Sequence, residues 1–177
     1  MKVKFSKVKF STACILFLSM LASPILMAAD TMIIVVRHAE KATDDPKDPS
    51  LSEQGNARAN ALAEVLKDSD LKAVYSTQYK RTRLTGTPSA TKSGLEVEAL
   101  EVNKQNDKTY VTDLIKKIQK DHKGETVLIV GHSNTVPEIV KYTTGKDIAP
   151  IGEDEFSRIY IITLGKEPRL VSATYNP

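Results

Sequence analysis

Apolar residues fall along this chain in two kinds of run. TMIIVV at 31–36 and TVLIV at 126–130 are short, unbroken and rich in β-branched residues, the pattern of strands covered on both faces. LKAVYS at 71–76 predicts another strand and the alternating LEVEAL at 95–100 a fourth, while RIYIITL and RLVSATY predict two more at the end of the chain. Helical stripes lie between them. Ala57, Ala61, Leu62, Val65 and Leu66 predict a helix over about 51–67, opened by Ser50 and Glu53 at capping-box spacing. Val111, Leu114, Ile115 and Ile118 share one face of another, which Gly124 ends. A helix is expected from near Tyr79, with Gly86 and Pro88 leaving its length open, and a shorter one runs from Pro137 to Tyr142, ended by Gly145. Strand and helix alternate four times before the two late strands, so the expected fold class is α/β: a three-layer α/β/α sandwich on a mostly parallel sheet with an antiparallel edge. No internal repeat or low-complexity tract interrupts it.

Residues 1–29 stand apart from this pattern. Lys2, Lys4, Lys7 and Lys9 precede the uncharged ACILFLSMLASPILMAA, which has the basic, apolar and small-residue order of a secretory signal peptide. Pro24 interrupts the apolar run, which is short against the about 20 residues a membrane span needs. Residues 30–177 are accordingly expected to form one exported domain, periplasmic or secreted, and to touch a membrane only if the segment stays uncleaved. Without those four lysines, 21 of the 25 basic residues face 22 acidic ones, so the basic balance of the whole chain belongs to the leader. No basic stripe with interleaved aromatics remains to suggest a nucleic-acid partner. Cys14, the single cysteine, also lies in the leader, which excludes disulfides, thiolate catalysis and cysteine-held zinc from the domain.

Two of the buried strands end alike, VVRHAE at 35–40 and IVGHSN at 129–134. Parallel strands share the edge at which they end, and that edge is where open α/β sheets bind ligands. YSTQYKRT at 75–82 leads a third strand end to Arg81, so Arg37, His38, Arg81 and His132 can converge on one crevice. Two guanidinium groups with two imidazoles form a site for an anion, and phosphate fits the arginine fork best.

The RH pair after the first strand, LSEQG in the next helix, S-T-x-x-x-R-T after the second strand and GHSNT after the fourth occur in order over about 32–144. In that order they resemble the histidine phosphatase superfamily, whose fold is phosphoglycerate mutase-like. The resemblance implies that His38 is the nucleophile, that Arg37, Arg81 and His132 hold the phosphoryl group, and that catalysis passes through a phosphohistidine without metal or cofactor. It implies as partner a phosphorylated small molecule or glycan. The chemistry agrees independently. An imidazole attacks phosphorus only when unprotonated, and a cation about 4 Å away opposes its protonation by roughly 4 kcal/mol at an effective dielectric of 20. The second nitrogen of the attacking ring needs an acceptor, such as a backbone carbonyl, and His132 serves as a donor to the phosphoryl oxygens.

The general acid is less clearly written. The acid-phosphatase branch has an aspartate directly after the second histidine, where this chain has Ser133. Glu101, beside a strand end, is the first choice and Glu98 the second, each equally readable as part of a solvated edge. Ser76 reads either as a phosphate donor or as a strand-end cap, Glu40 as a local structural residue, and His122 as a solvated helix end. The expected function is phosphomonoester hydrolysis. Its alternatives are a phosphohistidine or protein phosphatase and a phospho-ligand binding protein without turnover.

Overall fold

The computed structural model describes residues 29–177; the leader reading, apart from Ala29, lies outside the described residues. Six strands and four helices follow one another as β1 (Thr31–Arg37), α1 (Glu53–Val65), β2 (Leu71–Thr77), α2 (Lys80–Lys92), β3 (Val97–Leu100), α3 (Tyr110–Asp121), β4 (Thr126–Gly131), α4 (Thr135–Thr144), β5 (Arg158–Leu164) and β6 (Arg169–Thr174). They form one sheet in the order β3-β2-β4-β1-β5-β6. The first four strands are parallel, and β5 and β6 add antiparallel pairs beside β1. This is the expected three-layer α/β/α sandwich.

Strand periodicity splits the core in two. Ile33, Val35, Tyr75, Val127 and Ile129 face α3 and α4, where Leu114, Ile115, Ile118 and Ile139 cover them. Ile34, Val36, Val74, Leu128 and Val130 face the opposite way, toward Leu62 of α1, Leu66 at its C-cap and Ala90 of α2. Both faces of β1 and β4 are therefore dry, which is why their sequences are continuous apolar runs. Polar chemistry is confined to the ends of these strands.

Several boundaries differ from expectation for local reasons. Ser52, not Ser50, caps α1, accepting a hydrogen bond from Gly55 N at 3.1 Å. The helix α2 runs on through Pro88 to Lys92. A Cβ on Gly86 would sit 3.0 Å from a methyl of Val74, so this glycine lets the helix lie close on the sheet. β3 is only four residues long, and α4 begins two residues before Pro137. His122 is not a solvated end: its ring bridges Tyr75 Oη at 2.9 Å and Glu125 Oε2 at 2.8 Å. Glu40 has the structural role expected of it, with Arg58 Nη2 2.7 Å from its carboxylate and Arg58 Nη1 reaching the carbonyl of Tyr175.

Candidate active site

β1 delivers Arg37 as its last residue and His38 as the next, and β4 delivers His132 just after Gly131. The two strands are parallel neighbours with Arg37 opposite Gly131, and His38 N donates to Gly131 O at 2.9 Å. β2 flanks β4 on its other side, so the first turn of α2 carries Arg81 to the same edge. The two imidazoles stand edge to face with centroids 5.4 Å apart. All four residues expected to converge line a single open cavity of about 360 Å³, together with Lys41, Tyr79 and Glu153 among others.

The ring of His38 is almost wholly buried. Its Nδ1 lies 2.8 Å from the carbonyl of Ala39, an acceptor, which makes Nδ1 the N–H of the neutral ring. Nε2 then carries the lone pair, and it has no hydrogen-bond partner among the described residues. Burial pushes the His38 pKa down to about 4, and Arg37, Arg81 and Lys41 push it the same way, against the Ala39 carbonyl. Sequence alone credits the neighbouring cations with keeping this ring neutral; burial is the larger cause. Burial also lowers His132 to about 3, with His38, Arg81 and Arg37 adding to the effect. Both imidazoles are therefore neutral across the physiological range.

The two arginines are held differently. Arg37 is nearly inaccessible, and its Nη1 donates to the carbonyls of Gly152, Glu153 and Glu155 in the loop before β5. Glu153 Oε2 lies 3.4 Å from Nη2, and Phe156 lies under the guanidinium at 4.4 Å. Arg37 thus clamps this loop beside the cavity, a duty with no counterpart in its sequence neighbourhood. Arg81 stacks on Tyr79 at 4.4 Å and keeps Asp48 at 3.9 Å, while Asp48 also accepts from Lys80 N and so caps the start of α2.

Two site expectations need correction. Ser76 has no access to the cavity: it is fully buried and its hydroxyl donates to the Thr77 carbonyl at 2.9 Å. Strand alternation sends the next side chain, Thr77, to the site instead, with Oγ1 2.9 Å from His132 Nε2. Glu101 lines a different cavity, with Tyr110, Asp113 and Lys117, whereas the following residue, Val102, lines the site. Glu98 pairs with Lys117 at 3.6 Å on the edge strand. Glu101→Gln should accordingly leave kcat/KM for any phosphomonoester unchanged within about twofold, as is usual for an exposed substitution away from the reacting groups; a large loss would return Glu101 to the site. Asn134 and Thr135 also line the cavity, and Thr135 Oγ1 accepts from His132 N at 2.8 Å.

Lys41, Tyr79, Thr77 and Glu153 are site residues that the sequence pattern does not single out. Lys41 and Tyr79 lie inside the motif-bearing stretches and differ from their neighbours only in where they point. Among the described residues no group of three or more His, Cys, Asp or Glu side chains is placed to hold a metal ion.

Residues 33–102 match the family model of the histidine phosphatase superfamily, branch 1. Among solved structures, the protein histidine phosphatase SixA complexed with tungstate is similar over 81% of this chain and 96% of its own, at 19% identity and a TM-score of 0.66. A SixA-type phosphohistidine phosphatase from Agrobacterium tumefaciens, so described provisionally, covers 82% of this chain and 98% of its own at 20% identity and a TM-score of 0.60. A mycobacterial glucosyl-3-phosphoglycerate phosphatase with inorganic phosphate covers 82% and 97% at 13% identity and a TM-score of 0.61. No curated protein sequence matches the chain. At these identities the solved structures establish a shared fold.

Proposed function

We propose that this chain is a histidine phosphatase, a reading supported by the family-model match over residues 33–102, and that its cavity hydrolyses a phosphomonoester in two steps with His38 as nucleophile. One observation carries the reading: a buried neutral imidazole whose Nδ1–H is anchored on a backbone carbonyl presents its other nitrogen to a cavity lined by Arg37, Arg81, Lys41 and His132. In the first step His38 Nε2 bonds to phosphorus while the bond to the leaving oxygen breaks, and that oxygen departs with the electron pair. In the second, water attacks the phosphohistidine, releasing phosphate and restoring the free ring. The cations neutralise the incoming dianion and the charge that spreads over its equatorial oxygens, so the proposal needs no cofactor.

The substrate is a phosphorylated small molecule or glycan, encountered outside the cytoplasm if residues 1–29 act as the export signal their pattern describes. Glu153 is the carboxylate among the cavity-lining residues, and its side chain is 80% exposed. Such a site favours leaving groups that need little protonation. For the same reason a second reading, phosphohistidine as substrate, is retained; it fits the names of two structural neighbours.

The test is hydrolysis of an aryl phosphate by the full chain in excess EDTA. Multiple turnovers are expected. Saturable phosphate binding without turnover would instead make the protein a phospho-ligand binder, and loss of activity in EDTA would overturn the metal-independent mechanism.

A further inference from the structure

His132 enters the cavity with one ring nitrogen already engaged. Its Nε2 lies 2.9 Å from Thr77 Oγ1, and Thr77 Oγ1 lies 2.8 Å from Thr82 Oγ1. Both threonines are fully buried, so water does not compete for these hydroxyls. Nδ1 has no partner and is not among the enclosed unpartnered atoms of the described residues, which leaves it as the nitrogen open to the cavity. A neutral imidazole has a single N–H. What Thr77 does at Nε2 therefore decides what His132 can do at Nδ1.

Two proton arrangements satisfy the chain of contacts. In one, His132 Nε2–H donates to Thr77, Thr77 donates to Thr82, and Thr82 donates to the carbonyl of Tyr79 at 2.8 Å or of Thr77 at 3.1 Å. That arrangement turns the Nδ1 lone pair toward the cavity, where it would repel a bound anion. In the other, Thr82 donates to Thr77 and Thr77 donates to His132 Nε2. No group is left unpaired by this second arrangement, because the Tyr79 carbonyl still accepts from Arg83 N at 3.1 Å and the Thr77 carbonyl from Ser76 Oγ at 2.9 Å. A doubly protonated ring would also offer Nδ1–H, but burial and the surrounding positive groups disfavour it strongly.

The geometry points to Thr77, backed by Thr82, as the positioning residue that sets the tautomer of His132: with an anion bound, the protons run from Thr82 to Thr77 to Nε2, leaving the ring hydrogen on Nδ1 facing the phosphoryl oxygens. A neutral histidine is thereby made a donor without being charged. Being neutral, it also adds no cation beside His38 to hinder that ring. The inference rests on the reading of the cavity as a phosphate site.

Nitrogen NMR of the histidine-labelled chain, saturated with inorganic phosphate at neutral pH, tests it directly. His132 should show a pyrrole-type Nδ1 and a pyridine-type Nε2. Thr77→Val, which keeps the shape and removes the hydroxyl, leaves Nε2 facing a methyl group with neither an N–H nor a lone pair satisfied, so the ring should become a mixture of tautomers. The substitution should also lower kcat for an aryl phosphate roughly 10- to 100-fold, because part or all of one donor to the developing phosphoryl charge is lost. Thr77→Ser should restore both the tautomer and the rate. An Nε2–H ring or a doubly protonated ring in the phosphate complex would overturn the assignment, as would a Thr77→Val protein with unchanged tautomer and rate. Phosphate that binds to an Nδ1–H ring without any turnover would refute the phosphatase reading and leave the tautomer assignment standing; phosphate that does not bind would end both.

Discussion

Replacing His38 by alanine is expected to lower kcat for aryl phosphate hydrolysis by at least about 10⁴-fold, the scale on which removal of a covalent nucleophile is felt. The loss should fall on kcat and not on phosphate affinity. Arg37, Arg81, Lys41 and His132 all line the cavity independently of the His38 ring, so inorganic phosphate should still bind the variant, and removing one imidazole leaves the cationic surroundings intact. An aryl leaving group requires little protonation, so the measurement isolates the nucleophile from any general acid. The companion result is a phosphoryl group on His38 of the wild-type chain, trapped during turnover by a quench that avoids acid and located by mass spectrometry. Its absence from the alanine variant must accompany the loss of rate. Equal turnover by both proteins would transfer the reaction to another group, with His132 the next ring in the cavity.

Much of this arrangement is legible in the amino-acid sequence. The two apolar runs that end in RH and GH are written for strands dry on both faces, and a parallel sheet leaves such strands no place for polar residues except their ends. That constraint alone brings His38 and His132 to one edge, and the sheet order makes their strands neighbours. At the site itself, sequence misleads at the scale of one residue. Ser76 and Glu101 have suitable chemistry at strand ends, but it is their neighbours that meet the site, Thr77 by touching His132 and Val102 by lining the cavity. Alternation moves a side chain to the opposite face with each step, and a boundary uncertain by one residue cannot fix that parity. The clamp of Arg37 on the loop at 152–155 is invisible in sequence for another reason. It joins residues more than a hundred positions apart through backbone carbonyls, which every residue has. Gly86 and Pro88 in turn speak against a long helix, while the close approach of α2 to Val74 explains why a glycine is tolerated there.

The neutral, buried state of His38 should be measurable as a loss of stability in acid. In an unfolded chain its pKa returns to about 6.5, while in the folded protein it lies at about 4. Above pH 6.5 the ring is neutral in both states and contributes no pH dependence. Between pH 6.5 and 4 the unfolded chain takes up a proton that the folded protein refuses, so stability falls with pH at about 1.4 kcal/mol per unit from this residue. Below pH 4 the folded ring protonates as well and the slope from His38 disappears. His132, lowered to about 3, extends the same trend further into acid. Between pH 7 and 4.5 the His38 share amounts to about 2.5 kcal/mol. Denaturant unfolding of wild type and His38→Gln at those two pH values should therefore show the variant losing about 2.5 kcal/mol less. Comparing the pH difference within each protein removes the cost of the altered side chain itself. The ring's own titration, followed by proton NMR, should centre near 4, and the acid limb of kcat/KM should follow that value once the substrate's ionisation is accounted for. A His38 that titrates at its ordinary value, with equal acid sensitivity in both proteins, would mean that the ring is hydrated and charged at mildly acidic pH, a state in which it cannot attack phosphorus. The burial that makes the ring a nucleophile is the same burial that makes the fold sensitive to acid, so the inactive variant is expected to be the less acid-sensitive protein.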